Sequence, residues 1–169
     1  MTPDRGMTPP FAAPRSPPKR PPLVIELLVR GLGLLLLLLP LLPPLFYARG
    51  DTAMGDLFDI WTYACHRLPE RSLSLFGEVM PLCSRCYGII GGLGLGMLVA
   101  RPFYGLRVLR ICLTIGAAFL FLELTTQDLG WHRVFHPSRL LSGLLVSFPV
   151  GAAAGALARG WPYELVPRQ

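Results

Sequence analysis

Charge is scarce in this chain: Asp, Glu, Lys and Arg make up 15% of the residues, against roughly 25% in ordinary soluble domains. Hydrophobic residues make up 52%, more than a water-soluble core of this size could hide. They are gathered into long runs instead of being spread at helix or strand period, so lipid is the expected solvent, around one compact membrane domain. Other signals are missing too. There is no phosphate-binding glycine loop after a strand, and no serine, histidine and acid set at recognisable spacing. No basic stripe is interleaved with aromatics, so the net charge of +6 does not indicate a nucleic-acid partner. The basic residues stand instead at the ends of apolar runs, where they report topology.

Residues 1–22 contain Pro3, Pro9, Pro10, Pro14, Pro17, Pro18, Pro21 and Pro22 with Arg5, Arg15, Lys19 and Arg20. Such a composition cannot bury a core and predicts a disordered basic tail. Four apolar runs follow, at about 23–47, 86–100, 108–124 and 140–158. In the first, Pro40, Pro43 and Pro44 must bend or end the helix. A cleaved signal peptide competes for this segment, but cleavage after Ala48 would put Phe46 where a small residue is needed, so an uncleaved helix is expected. Glu26 and Arg30 pair on it at helical spacing.

The second run carries Gly88, Gly92 and Gly96, and the fourth Gly143, Ser147, Gly151 and Gly155. Small residues at every fourth position make smooth faces for close packing in lipid, so these two helices should touch. The short connection 101–107 should make helices two and three antiparallel neighbours. The expected fold is all-α: a bundle of four transmembrane helices spanning 23–158, with a tail at 159–169. A short interfacial helix is expected over 51–66, with Leu57, Phe58, Trp61 and Cys65 on one face and Trp61 and Tyr63 at the membrane interface.

With the N-terminus inside, the inner segments hold Arg5, Arg15, Lys19, Arg20, Arg101, Arg107, Arg110, Arg159 and Arg168. The outer segments hold fewer basic residues, namely Arg49, Arg67, Arg71, Arg85, Arg133 and Arg139, with most of the acids. Both termini are therefore expected in the cytoplasm, on the inner side of a plasma (inner) membrane, and the loops after helices one and three share the outer face.

That face holds the residues that could carry chemistry. Cys65 and His66 precede the Cys83-Ser84-Arg85-Cys86 stretch. Two cysteines separated by two residues can place both sulfurs on one ion, and Cys65 with His66 could complete a tetrahedral set. His132 and His136, one helical turn apart, could supply the fourth ligand in place of His66, or stand as solvated side chains beside Trp131. A disulfide between Cys65 and Cys83 or Cys86 is the alternative for the thiols, and an inert role a third. Cys112 is expected to be a packed membrane residue. Haem attachment is unsupported, because Tyr87 stands where histidine is needed. Glu123 is expected to pair with Arg85 or Arg139; left unpaired beside the cysteines it could accept protons or bind a cation.

The stretches Cys-His-x-x-Pro-Glu-Arg-Ser at 65–72 and Pro-x-Cys-x-Arg-Cys-x-Gly-Ile at 81–89 resemble a family of small predicted bacterial multi-pass membrane proteins catalogued as a domain of unknown function. A second family stretch maps onto Glu123, Leu124, Gln127, Arg139 and Gly143, with Leu124 departing from the family's glycine. The resemblance covers about residues 50–158. It implies that the outer cysteines, Arg85, Glu123, Gln127 and Arg139 form one site, without supplying an activity or deciding whether the protein is an enzyme. A site for zinc or another transition metal, structural or in metal handling, is the leading expectation. An alternative is a membrane thiol-disulfide oxidoreductase using Cys83, Cys86 and Cys65 with a quinone, in which Arg85 would lower the thiolate pKa. Against it, membrane enzymes of that kind use a second cysteine pair. A small transporter or complex subunit is a third, suggested by Pro149 and by small-residue faces that could also make a homodimer.

Overall fold

The computed structural model describes residues 23–63, 65–66, 68–99, 106–131 and 133–159. The expected tails at 1–22 and 160–169, residues 101–105 of the connection, and His132 lie outside the described residues. Three helical segments, Leu23–Ala48, Arg107–Asp128 and His136–Leu157, are long and apolar enough to cross a membrane, and Ser84–Val99 is a shorter apolar helix. Their outward surfaces carry exposed Leu28, Leu35, Ile115, Phe121 and Val150. Those spans imply contact with a lipid bilayer.

The first segment is bent where its prolines require it. Helix α1 (Leu23–Leu38) gives way to a 3-10 turn at Leu39–Leu41 and then to α2 (Leu42–Ala48). Pro40 opens the turn and Pro43 lies in the first turn of α2, positions where a missing N–H costs least. Pro40, Pro43 and Pro44 are fully buried. Together the bend and the buried rings form the seat on which the hairpin at 72–83 rests.

Helix α6 (His136–Leu157) is the centre of the bundle, packing along α4 (Ser84–Val99) on one side and α5 (Leu106–Asp128) on the other, while α1 packs on the far side of α4. The expected contact between the two small-residue faces is present at backbone distance. A Cβ at Gly92 would lie 2.8 Å from the Leu144 backbone, and one at Gly143 would lie 2.5 Å from the Arg85 carbonyl oxygen. Close approach in lipid replaces the missing hydrophobic drive with van der Waals contact. One expectation needs correction: α5 packs against α6 and not along α4. Sequence adjacency suggested otherwise, but the glycine face of α4 is occupied by α6.

The segment 51–66 differs from a single interfacial helix. Helix α3 (Thr52–Phe58) starts at Asp51, whose side chain accepts from the Met54 N–H at 3.1 Å, and ends at Asp59. A 3-10 turn at Ile60–Tyr63 follows. Trp61, expected at the interface, is buried. Phe58 stacks on Phe46 with ring centroids 5.5 Å apart, and the Tyr47 hydroxyl donates to Asp56 at 2.7 Å, so α3 is fastened to α2.

The all-α expectation is corrected to a mostly helical fold by an antiparallel hairpin of β1 (Ser72–Leu75) and β2 (Glu78–Cys83). Leu75 pairs with Glu78 across the turn residues Phe76 and Gly77, whose φ values are +56° and +87°. Positive φ at both central residues matches the right-handed strand twist of a tight hairpin. A bulge between Ser72 and Ser74 shifts the register so that Ser72 pairs with Cys83. Met80, Pro81 and Leu82 are buried against the proline bend.

Candidate functional site

Cys83 is the last residue of β2 and Cys86 lies in the first turn of α4, so the strand runs directly into the helix and the spacing of three brings both sulfurs to the same side. Cys65 follows the 3-10 turn, anchored by its N–H to the Trp61 carbonyl at 3.2 Å. The Cys83 N–H donates to Cys65 Sγ at 3.3 Å. The sulfurs of Cys65, Cys83 and Cys86 all lie within 4.8 Å of one another and could hold a metal ion. A Zn–S bond of about 2.3 Å at tetrahedral angles separates sulfurs by about 3.8 Å, so closing on an ion asks less than about 1 Å of movement.

All four cysteines are free. The hydrogen bond from the Cys86 side chain pulls the Cys83 thiol down to about 4, helped by the Cys86 backbone, the Cys65 thiol and the charge of Arg139, and opposed by burial. Thiolate is the form that ligates metals and attacks disulfides. Cys112 faces outward on α5 and is exposed, correcting the expectation of a packed side chain.

The three sulfurs line a cleft of about 300 Å³ with His66, Leu68, Arg71 and Arg139. His66 is exposed, and the sulfurs converge without it. His136 does not join them. Its Nδ1 lies 3.3 Å from the Ser84 hydroxyl, which donates to the Arg71 carbonyl at 3.2 Å. Ser84 is fully buried, so His136 serves to fix the strand-to-helix junction, with Nδ1 as donor.

Beneath the cleft the expected acid pair is present, between Arg85 and Glu123. Glu123 is 5% exposed and Arg139 3%. Gln127 bridges the two guanidiniums, its Oε1 accepting from Arg139 at 2.9 Å and from Arg85 at 3.3 Å. Ser142 donates to Glu123 at 3.4 Å and Ser138 at 3.5 Å. The cluster of Arg85, Glu123, Gln127 and Arg139 is thus continuous, and Arg139 joins it to the sulfur cleft. Charges this deep cost several kcal/mol unless paired, which accounts for the density of hydrogen bonds.

Sequence reasoning did not place Arg71, Ser84, Ser138 or Ser142 at the site. The signal for Arg71 was its place in the Pro-Glu-Arg-Ser stretch; for Ser142 it was the helical spacing of three from Arg139.

Comparison with known proteins finds no activity to transfer. An uncharacterized protein of the archaeon Methanocaldococcus jannaschii is 31% identical over 98 residues, covering 56% of this chain and 63% of the relative. An uncharacterized protein of Methanothermobacter thermautotrophicus is 32% identical over 102 residues, covering 57% of this chain and 86% of the relative. The chain thus spans under two thirds of the first relative's length, and both organisms are archaea where the resemblance pointed to bacteria. No solved structure matches. Residues 65–153, which run from the first site cysteine to the C-terminal turns of α6, match the family described as predicted membrane protein DUF2085, and the chain belongs to that family.

Proposed function

We propose that this membrane protein binds a transition-metal ion through Cys65, Cys83 and Cys86 on its extracytoplasmic face, with zinc the default for a thiolate-rich set. The observation that carries this is the convergence of three sulfurs from a loop, a strand end and a helix start within 4.8 Å. His66, on the wall of the same cleft, or an exogenous ligand takes the fourth position. Three protein ligands with an open fourth side suit metal handling, whereas closure by His66 suits a structural role. In this arrangement α4 is a fourth span, both termini are cytoplasmic, and the site faces outward across a plasma membrane.

Thiol-disulfide exchange is the second reading, favoured by the lowered Cys83 thiol beside Cys86. Cys83 and Cys86 would be oxidised to a disulfide while a quinone is reduced to the quinol, taking up two electrons and two protons. The small-residue faces are used within the bundle, which leaves the transporter and homodimer readings without that support.

Elemental analysis of untagged protein in mild detergent, with a count of free thiols, tests the proposal. About one metal per chain with protected thiols, lost in Cys83→Ser, is expected. Metal-free protein with Cys83 and Cys86 linked in part of the population moves the assignment to disulfide chemistry. Unchanged metal content in Cys83→Ser removes the sulfur site altogether.

A further inference from the structure

The charges around the cleft do not balance. Arg85 is neutralised by Glu123. Arg139 is 3% exposed, its bonded partner is the neutral Gln127 at 2.9 Å, and its Nε has no acceptor among the described residues. Arg71, on an adjoining wall of the same cleft, adds a second guanidinium. A divalent ion on three thiolates carries one net negative charge, as does a single thiolate in the metal-free triad, so in either state one of these two guanidiniums stands unoffset. A buried guanidinium with an orphaned N–H is a strong donor in a medium that penalises leaving it unmet.

We propose that the cleft is an oxyanion-binding site, in which Arg139 at the buried side and Arg71 at the exposed side hold the carboxylate or phosphate group of a small ligand beside the sulfur triad. Planar guanidiniums with several N–H donors recognise both groups in this way. The volume of about 300 Å³ is at the lower limit of small-molecule sites, so the bound part is a small anionic group. A free ion and the headgroup of an anionic lipid share this chemistry. The site shares its cleft with the proposed metal but rests on the arginines, so it stands or falls separately.

The test titrates full-length protein in mild detergent, metal-replete and metal-stripped, with inorganic phosphate, acetate and chloride at matched ionic strength, following binding by calorimetry. Saturable binding of phosphate or acetate, weakened about tenfold or more in Arg71→Gln, is expected, with metal content in that variant unchanged. Arg139→Gln should abolish it; should that variant fail to fold, the exposed Arg71 variant decides. Native mass spectrometry separates the sources: an anionic lipid retained by wild type and lost from Arg71→Gln identifies a headgroup, and saturable ion binding without retained lipid a free ligand. No response beyond chloride together with no retained lipid overturns the proposal, as does an unaltered response in Arg71→Gln. Metal absent with anion binding intact would sink the metal assignment alone; metal present with no anion binding would sink this one alone.

Discussion

Replacing Glu123 with leucine isolates the energetics of the buried polar layer. The Glu123 side chain is 4% exposed and that of Arg85 15%, so solvent screens little of the interaction. The contacts from Ser138 and Ser142 are long, at 3.5 and 3.4 Å, which leaves Arg85 as the main partner lost. In Glu123→Leu the guanidinium would retain Gln127 Oε1 at 3.3 Å and no acid. Breaking such a pair from one side costs about 3–5 kcal/mol, whereas replacing both partners with apolar groups of similar volume is often neutral. The double variant Arg85→Leu/Glu123→Leu should therefore regain most of the loss, giving a coupling of about 2 kcal/mol or more. Reversible unfolding in mixed micelles with increasing dodecyl sulfate measures all four corners of the cycle. A cost below about 1 kcal/mol for Glu123→Leu, the range of solvated surface pairs, would refute this account. So would a double variant that loses the sum of the singles.

Three further outcomes are expected. Because the Cys83 thiol is held near about 4 instead of 9.0, it is deprotonated through the neutral range. Its alkylation rate in metal-free, reduced protein should be flat between about pH 5 and 8 and should decline only as pH falls through that value. In Cys86→Ala, which removes the largest cause, the decline should move to higher pH, and tryptic mass spectrometry reads the modified site. Gly92→Leu places a side chain against the Leu144 backbone at 2.8 Å, while Gly31→Leu meets nothing within 4 Å. The first should lose about 1–3 kcal/mol or more in the micelle assay and the second almost nothing; equal effects would contradict the packing. Finally, Phe76→Cys at the exposed hairpin tip, in a background lacking other cysteines, should react with an impermeant maleimide on intact cells. Labelling only after lysis would invert the orientation.

The contact of α4 with α6 was legible because small residues recur every fourth position, a signal of packing independent of side-chain detail. The sulfur triad was legible in part: the spacing of Cys83 and Cys86 fixed two members, and the third depended on a loop whose path local pattern does not determine. The hairpin was missed because residues 49–81 read as one polar stretch. Its alternating Ser-Leu-Ser-Leu run is short, and its turn places the non-glycine Phe76 at positive φ. The partner of α5 was hidden for the opposite reason. Its long apolar faces match lipid and protein equally well, and the side toward α6 is marked by a few residues: Leu109, Glu123, and Gly116, where a Cβ would lie 2.6 Å from the Leu145 carbonyl oxygen. Arg139 was expected beside Glu123, but with Arg85 as an equal candidate for the pair; the structure gives the acid to Arg85 and leaves Arg139 buried on Gln127.

Helix α6 joins two surfaces with different kinds of selectivity. Along Gly143, Ser147 and Gly151 it is smooth, and a smooth face binds without fixing how far one helix has slid along another. A slip of one residue moves it about 1.5 Å and turns it about 100°, which would carry Arg139 and Ser142 away from Gln127 and Glu123. The end that bears Arg139 therefore acts as a latch that sets the alignment for the whole seam. Since Arg139 belongs both to that latch and to the wall of the cysteine cleft, occupancy of the cleft and alignment of the membrane helices are thermodynamically linked.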